Sequence, residues 1–246
     1  MRHGAPSGRD GPVSDGATDP NGAERGVAPP ALPVSDPSFG LSTEALRLPV
    51  AGRAQAIGLF GGSFNPPHEG HLLVAETARK RLKLDAVWWL VTPGNPLKDH
   101  GALRPLPERL AAVRHLARAR HHRPTALEAA WHIRYTADTI RLLAGRRPDL
   151  NFVWIMGADS LASFHRWQDW RAIASIVPIA IVDRPGATLG ALHAKAAQTL
   201  GAFRLPEREA ATLPRRSPPA WVFLHGPRRA ISSTALRGAR AAPFGR

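Results

Sequence analysis

The segment "GLFGGSFNPPHEGHLLVAETARK", from Gly58 to Lys80, changes character twice along its length. It begins as an apolar run, passes through glycines and prolines, and resumes with apolar residues at helical spacing. Two histidines, His68 and His71, stand inside the break with Gly70 between them. The pattern predicts a buried strand, a turn with little side-chain cover, and an amphipathic helix. In open α/β sheets, such strand-to-helix turns are where ligands bind.

Beyond this segment, short apolar runs alternate with amphipathic ones. The apolar runs carry polar residues on neither face, which is typical of strands in a parallel sheet covered on both sides. The sequence therefore predicts an α/β fold: a Rossmann-like, doubly wound parallel sheet with helices on both faces, in a single domain. Within this pattern "TALEAAW", at 125–131, is predicted as a strand, and the proline- and arginine-rich stretch 203–220 as a loop.

Residues 1–53 have a different composition from the rest of the chain. They are rich in Gly, Pro, Ala, Ser and Asp and show no apolar periodicity. Such a segment cannot bury enough apolar surface to offset the entropy lost on ordering. We therefore predict a disordered N-terminal extension over residues 1–53 and a folded domain over 54–246.

Composition excludes several classes of protein. The chain has no cysteine, so it has neither a disulfide framework nor a thiolate metal site. No apolar stretch approaches the roughly 18 residues of a membrane span, and the N-terminus lacks the apolar centre of a secretory signal, so a cytoplasmic protein is expected. The net charge of +14 comes mostly from arginines scattered along the chain. Without a basic block, neither nucleic acid nor a membrane is predicted as a partner.

The first turn has the features of an anion site. Glycines let backbone N–H groups approach a ligand closely, and the N-terminus of the following helix points its N–H groups at the same place. His68 and His71 are three residues apart, so both imidazoles can face one phosphate. Donors placed where charge develops in a transition state accelerate phosphate chemistry. Two histidines could instead bind zinc, but no third ligand stands at a matching spacing, and no metal site is predicted.

Four segments in order carry a family resemblance. "GGSFNPPHEGH" resembles the signature of the nucleotidyltransferases that share the H-x-G-H motif. Together with "RYTADTI", "GADSLASFHRW" and "ISSTALR", it is similar to bacterial nicotinate-nucleotide adenylyltransferases, over about Ile57 to Arg240. The resemblance implies that residues 54–246 are a nucleotidyltransferase domain. It would transfer AMP from ATP to nicotinate mononucleotide by direct in-line attack, giving deamido-NAD and pyrophosphate. It also implies Mg²⁺ as a cofactor that is carried mainly by ATP.

The resemblance assigns roles to individual residues. The catalytic residues would be His68, His71 and Arg237. The ATP-binding residues would be Gly61, Gly62, Ser63, Phe64, Lys98, Gly157, Asp159, Ser232 and Ser233. The residues that bind nicotinate mononucleotide would be Tyr135, Thr136, Trp167 and Gln168, with the indole of Trp167 stacked on the pyridine ring and the helix start at Tyr135–Thr136 facing the carboxylate.

Several alternatives stay open from the sequence. Lys98 lies in a loop shorter than in many relatives and could be an ordinary solvated lysine, Asp159 could be a helix cap, and Trp167 could belong to the core. A sister enzyme, such as a phosphopantetheine adenylyltransferase or a cytidylyltransferase, would share H-x-G-H but not "GADSLASFHRW". A basic nucleic-acid-binding protein could keep the fold without catalysis, although His68, His71 and Arg237 argue against it.

Overall fold

One parallel sheet organises the domain. The computed structural model describes residues 40–94, 103–183, 190–191 and 193–226. Within these residues, seven strands pair in the order β3-β2-β1-β4-β5-β7-β6, and every pairing is parallel. The strands are β1 Ala56–Gly62, β2 Ala86–Val91, β3 His122–Thr125, β4 Asn151–Gly157, β5 Ile179–Val182, β6 Arg204–Leu205 and β7 Trp221–Leu224.

Helices connect these strands. The α-helices are α1 Thr43–Leu46, α2 Glu69–Leu82, α3 Leu106–Leu116, α4 Leu127–Ala130, α5 Thr136–Arg146, α6 Ala158–Phe164, α7 Trp170–Ile176 and α8 Lys195–Thr199. Two 3₁₀ helices, Gly201–Phe203 and Glu207–Arg215, flank β6.

The sheet has an apolar core on each face. In β2, Trp88 and Trp89 are both fully buried but belong to opposite cores, as the two-residue period of a strand requires. Helices α2 and α3 cover the face with Trp89, whereas α5, α6 and α7 cover the face with Trp88. The predicted doubly wound α/β fold is therefore confirmed.

The strand order creates a crevice beside β1. The chain proceeds from β1 outward to β2 and β3, then returns to place β4 on the other side of β1. Connections leave these two neighbouring strands in opposite directions, and ligands bind at such a switch point at the carboxyl ends of the strands. The loops after Gly62, Val91 and Gly157 all open at this edge.

Two sequence predictions of secondary structure were wrong. The segment 125–131 is not a strand, because β3 ends at Thr125 and the short helix α4 begins at Leu127. Oγ1 of Thr125 accepts a hydrogen bond from the N–H of Leu127 (3.2 Å). Its Leu, Glu and Ala residues are strong helix formers. The segment 203–220 is not simply a loop, because β6 and a 3₁₀ helix lie within it and bury Ala210 and Leu213.

The folded domain also begins earlier than predicted. Ser42 caps α1, and Ala45 and Leu46 are buried. The carbonyl oxygen of Ala45 accepts hydrogen bonds from the N–H of Ala126 (2.8 Å) and from Oγ1 of Thr125 (3.0 Å). Residues 40–53 are therefore part of the domain, which corrects the boundary at residue 53. Residues 1–39 lie outside the described part of the chain, so their predicted disorder stays a prediction.

Candidate active site

Gly61 and Gly62, at the end of β1, are constrained by aromatic rings. A Cβ atom at Gly61 would come within 2.5 Å of Cη2 of Trp154 on the neighbouring strand. A Cβ atom at Gly62 would lie 3.0 Å from the ring of Phe64, a buried residue with a φ of 45°. Packing therefore excludes side chains here, and the bare backbone reaches the carboxyl edge of the sheet, as a close approach to a ligand requires.

His68 and His71 form a reciprocal cap at the start of α2. Nδ1 of His68 accepts a hydrogen bond from the N–H of Gly70 (3.1 Å), and Nδ1 of His71 accepts one from the N–H of His68 (3.2 Å). This is the geometry of a capping box, with imidazoles in place of the usual Ser and Glu. The spacing that predicted two donors for one anion thus also makes each ring satisfy a backbone N–H group of the helix terminus.

Neighbouring rings fix the orientation of both imidazoles. Their centroids are 3.8 Å apart. The ring of Phe64 packs edge-on against His71 with a centroid distance of 5.1 Å, and Phe60 lies behind it at 6.3 Å. His68 is buried, since its exposed fraction is 5%. Restricted rotation of this kind is what a preorganised donor needs.

The start of α5 lies at the same edge of the sheet. Tyr135 is the N-cap residue but makes no side-chain cap bond to any described residue, and Thr136 is the first residue of the helix. Tyr135 is 37% exposed and Thr136 is half-buried. A helix start without a side-chain cap leaves N–H groups for other acceptors.

Trp167 lies between the core and the surface. Its ring packs edge-on against Phe164 (centroid distance 5.4 Å) and Trp154 (6.2 Å) and is partly exposed. The neighbouring Gln168 is exposed. Of the seven tryptophans in the sequence, Trp88, Trp89, Trp154 and Trp221 lie in strands and are buried.

The β4–α6 turn is a third helix start at this edge. Gly157 is buried and is the N-cap residue of α6, and Asp159 is exposed in the first turn. An acid in the first turn of a helix is stabilised by the helix dipole, which is the alternative to a nucleotide contact. Lys98, Ser232, Ser233 and Arg237 lie outside the described residues, so their predicted roles stay predictions.

Two buried charged residues behind the site were not identified from the sequence. Arg109 on α3 is 2% exposed and Glu128 on α4 is 8% exposed. Arg109 interrupts the otherwise apolar buried stripe of α3, which also contains Leu106, Leu110 and Val113. An arginine at a core-facing position of a helical pattern is a signal in the sequence that could have identified Arg109. No comparable signal marks Glu128.

A separate polar cluster lies at the amino end of β3. Glu76, His121 and His122 bring potential ligand atoms within 4.8 Å of one another. However, the indole N–H of Trp89 donates to Nδ1 of His122 (3.1 Å), so the proton of the neutral ring lies on Nε2 and blocks that atom as a ligand. Arg79 also forms an ion pair with Glu76 (3.1 Å). The donor set therefore fits a hydrogen-bonded network better than a metal site.

The carboxylate of Glu76 is stabilised in its charged form. Burial by itself would raise its pKa, but hydrogen bonds from Arg79 and His121, together with nearby positive charge, lower it to about 2. Burial, together with the nearby His121, lowers the pKa of His122 to about 4, although Nε2 of His122 lies 2.9 Å from Oε1 of Glu76. The histidine is therefore neutral near pH 7.

In the part of the chain that the structure describes, no helix combines the length and the apolar character of a membrane span.

The fold and the glycine–histidine turn define an α/β nucleotidyltransferase. In agreement, the family model described as Cytidylyltransferase-like matches residues 59–239. The chain belongs, more narrowly, to the nicotinate-nucleotide adenylyltransferases. It is 62% identical over 181 residues to a probable nicotinate-nucleotide adenylyltransferase of Brucella abortus, covering 74% of this chain and 93% of that one. A protein of the same name from Methylorubrum extorquens is 60% identical over 181 residues, covering 74% and 98%.

A solved structure supports the fold. Nicotinic acid mononucleotide adenylyltransferase of Plasmodium falciparum, complexed with NaAD, superposes with a TM-score of 0.56 at 15% identity. The match covers 75% of this chain and 83% of that chain.

Proposed function

We propose that the chain transfers the adenylyl group of ATP to the phosphate of nicotinate mononucleotide, forming deamido-NAD and pyrophosphate in NAD biosynthesis. The relatives support the reaction, and the observation that carries it in this chain is the His68–His71 cap at the switch point of the sheet. A phosphate oxygen of the acceptor attacks the α-phosphorus of ATP. The bond from that phosphorus to the oxygen bridging to the β-phosphate breaks, and pyrophosphate leaves with the electron pair.

The histidines act as positioned donors in this scheme. Each Nδ1 accepts from the backbone, so each neutral ring carries its proton on Nε2 and can donate it to a triphosphate oxygen. Charge that moves onto the leaving pyrophosphate is then met by donors that need no rearrangement. Backbone of Gly61, Gly62, Ser63 and Phe64 borders the same phosphates. Lys98, Ser232, Ser233 and Arg237 complete the proposed triphosphate site, and Gly157 and Asp159 the proposed adenosine site.

The acceptor is proposed to bind between α5 and the segment that contains Trp167. The exposed part of the indole stacks on the pyridine ring, while N–H groups at Tyr135–Thr136 and near Gln168 bind the carboxylate. A carboxamide would turn an NH₂ group toward one of these donors and leave it unpaired, at a cost of roughly 1–3 kcal/mol. Nicotinate mononucleotide is therefore the expected acceptor rather than nicotinamide mononucleotide.

Magnesium is proposed to enter with ATP. Among the described residues at the carboxyl edge, Glu69 in α2, Asp159 in α6 and Asp183 after β5 are separate carboxylates, and no group of three potential ligands lies there. Such a donor set suits an ion bound mainly by triphosphate oxygens, where it neutralises charge on the leaving group. The proposed location is the cytoplasm.

Pyrophosphate release tests the proposed function. The full-length protein is supplied with ATP and Mg²⁺ and with nicotinate mononucleotide, nicotinamide mononucleotide or phosphopantetheine in turn. We expect turnover with the first, and a value of kcat/KM at least about 10-fold lower with the second. Preferred turnover of phosphopantetheine would indicate the sister enzyme. Salt-dependent binding to nucleic acid without turnover would favour the non-catalytic alternative.

A further inference from the structure

A buried arginine joins three segments at the carboxyl edge of the sheet. Nη1 of Arg109, on α3, donates to the carbonyl oxygens of Ser63 (2.7 Å) and Thr92 (2.8 Å). Nη2 donates to the carbonyl oxygen of Pro93 (3.1 Å), and Nε donates to that of Arg104 (2.8 Å). These acceptors belong to the glycine–histidine turn after β1, the loop after β2 and the segment that leads into α3. One side chain, 2% exposed, therefore holds the backbone of all three segments.

The hydrogen bonds of Arg109 indicate a role in backbone geometry. Those to described residues go to backbone carbonyls and not to a carboxylate. Burial lowers the pKa of the guanidinium to about 10, so it stays charged at neutral pH. A buried charge costs free energy unless it is hydrogen-bonded, and an apolar residue at this position of α3 would avoid that cost. What an apolar residue could not supply is a rigid fork of N–H donors that fixes several carbonyls at once.

Direct hydrogen bonds join the same three segments beside the arginine. The N–H of Thr92 donates to the carbonyl oxygen of Gly62 (3.1 Å), and the N–H of Arg104 donates to Oδ1 of Asn65 (3.3 Å). The glycine–histidine turn thus has a partner in each of the other two segments. Together with the four bonds that Arg109 donates, these contacts mean that the turn cannot shift without breaking hydrogen bonds in its neighbours.

The bond to Ser63 restrains the backbone of Phe64. The carbonyl of Ser63 and the N–H of Phe64 belong to one planar peptide group, and the φ angle of Phe64 measures rotation next to that plane. This angle is 45°, in the left-handed region that residues other than glycine rarely adopt. A strained conformation of this kind persists only where the surrounding structure holds it. The 2.7 Å bond from Nη1 of Arg109 to the Ser63 carbonyl is one such restraint.

Phe64 in turn contacts His71. Its buried ring packs edge-on against the imidazole with a centroid distance of 5.1 Å, and it lies 5.2 Å from the ring of Trp89. A change in the φ angle of Phe64 would therefore move its ring relative to the imidazole. The contacts run from Arg109 through Ser63 and Phe64 to the ring that the proposed function uses as a donor.

We propose that Arg109 is a positioning residue for adenylyl transfer, which holds the glycine–histidine turn in the conformation that directs the imidazole of His71 at the triphosphate. The proposal rests on the proposed function of this site. Arg109 does not contact the substrates, because its donors bind backbone carbonyls of the protein. It acts through the carbonyl of Ser63 and the ring of Phe64.

A conservative variant of Arg109 tests its effect on catalysis. Arg109→Lys keeps the charge, but its single nitrogen cannot occupy the positions of Nε, Nη1 and Nη2 together. We expect kcat to fall about 100-fold, the loss that a displacement of about 1 Å causes, while KM for nicotinate mononucleotide stays near that of the wild type. The matched control is Arg147→Lys, which removes a fork that binds Asp149 and the carbonyl of Ala51. It should lower the melting temperature without changing kcat. Equal kcat values for the two variants would overturn the positioning role of Arg109.

A double-mutant cycle with His71→Asn tests whether the effect passes through His71. Residues that act as a unit in catalysis show losses that do not add as free energies. Arg109→Lys should therefore lower kcat about 100-fold in the wild type and by much less in His71→Asn, where the positioned donor is already gone. If the two losses in kcat simply multiply in the double variant, Arg109 acts independently of His71 and the proposal is wrong.

Nitrogen NMR of the histidine side chains gives a readout that does not depend on activity. The full-length protein is labelled in its histidine nitrogens and recorded without substrate, and the signals of His71 are those absent from His71→Asn. In the wild type they should show an acceptor Nδ1 and a protonated Nε2, because Nδ1 accepts the N–H of His68. Arg109→Lys should change these signals, whereas Arg147→Lys should not. Unchanged signals of His71 in Arg109→Lys would overturn the proposal.

A second variant decides the question if Arg109→Lys does not fold. Phe64→Leu removes the ring that links the two residues and leaves the side chain of Arg109 in place. It should change the same signals of His71, and unchanged signals would contradict the proposed link. If the signals change as expected but the wild type does not turn over nicotinate mononucleotide, the proposed function fails while the link from Arg109 to His71 stands.

Discussion

His68 and His71 cap the same helix through the same ring atom. Nδ1 of His68 accepts the N–H of Gly70, Nδ1 of His71 accepts the N–H of the N-cap residue His68, and the ring centroids lie 3.8 Å apart. The two rings therefore share one tautomer, with the proton of each neutral imidazole on Nε2. The capping role and the proposed phosphate role use different nitrogen atoms, which allows experiments to separate them.

Two replacements at His71 separate these roles. Asn can imitate Nδ1 and keep the cap, whereas Gln can imitate Nε2 and keep the donor. We expect His71→Asn to melt near the wild-type temperature but to lose about 100- to 1000-fold in kcat. His71→Gln should lose about 1 kcal/mol of stability, as removal of a cap does, and keep more of its kcat. Calorimetry and single-turnover kinetics measure the two effects. The reverse ranking in kcat would remove the Nε2 donor from the mechanism.

Trp167→Ala should weaken binding of the acceptor and leave binding of ATP unchanged. The indole packs only edge-on against Phe164 and Trp154, so its loss removes the proposed stacking surface. A stacked pair contributes about 0.5–1.5 kcal/mol, which predicts a KM for nicotinate mononucleotide up to about 10-fold higher. The KM for ATP should stay constant. Phe203→Ala, at an aromatic residue that is 44% exposed, is the control and should change neither. An unchanged KM for nicotinate mononucleotide in Trp167→Ala would indicate that this tryptophan serves only in core packing.

Gly61→Ala should destabilise the domain through Trp154. The added methyl would lie 2.5 Å from an indole that is 1% exposed and has no room to move. Overpacking of this kind costs about 1–3 kcal/mol. Gly145→Ala is the matched control, because no atom lies within 4 Å of its Cβ position in α5. It should stabilise the protein by about 0.5–1 kcal/mol. Denaturant unfolding of both variants gives the comparison, and equal effects would contradict the packing argument.

Two N-terminal truncations should differ in stability. Deletion of residues 1–39 is expected to leave the melting temperature and turnover unchanged. Deletion of residues 1–53 also removes the buried Leu46 and the carbonyl of Ala45 that accepts from Thr125 and Ala126. Burial of one leucine and two hydrogen bonds together correspond to about 3 kcal/mol, or roughly 6–12 °C. Identical melting curves for the two truncations would show that α1 contributes nothing.

Stability should depend on pH in opposite directions at two acids. The pKa of Glu128 is raised from 4.5 to about 7. Its contribution to the free energy of unfolding is therefore fully present below pH 4.5 and is lost as pH rises to 7, and the loss is on the order of 3 kcal/mol. The pKa of Glu76 is lowered to about 2, so its contribution is present above pH 4.5 and is lost as pH falls to 2. Unfolding of Glu128→Gln and Glu76→Gln, compared with the wild type from pH 3 to 8, measures each. If the free energy of unfolding of the wild type increased relative to that of Glu128→Gln between pH 4.5 and 7, the predicted direction of the pH dependence would be wrong.

Local pattern predicted the strands well and the short elements poorly. β1 was predicted from the apolar run that begins at Gly58, and β2, β4 and β5 lie in the further apolar runs that predicted a parallel sheet. Burial on both faces leaves such runs few other structures. Helices α4 and α1 were missed since each has only four residues, too few for periodicity to register. Their stability comes from distant partners: Thr125 donates to Ala45, which lies 80 positions away.

The sequence by itself determined the doubly wound fold, the position of the glycine–histidine turn between β1 and α2, and the family. These depend on residue types at short spacing, which a linear pattern records directly. Only the tertiary structure decided which nitrogen atoms of His68 and His71 accept backbone hydrogen bonds. It also decided that the indole of Trp154 leaves no room for a side chain at Gly61. Finally, it decided that Arg109 and Glu128 are buried behind the site. Those relationships join residues from separate strands and helices. The path of the chain in space brings them together, and no spacing along the sequence encodes that distance.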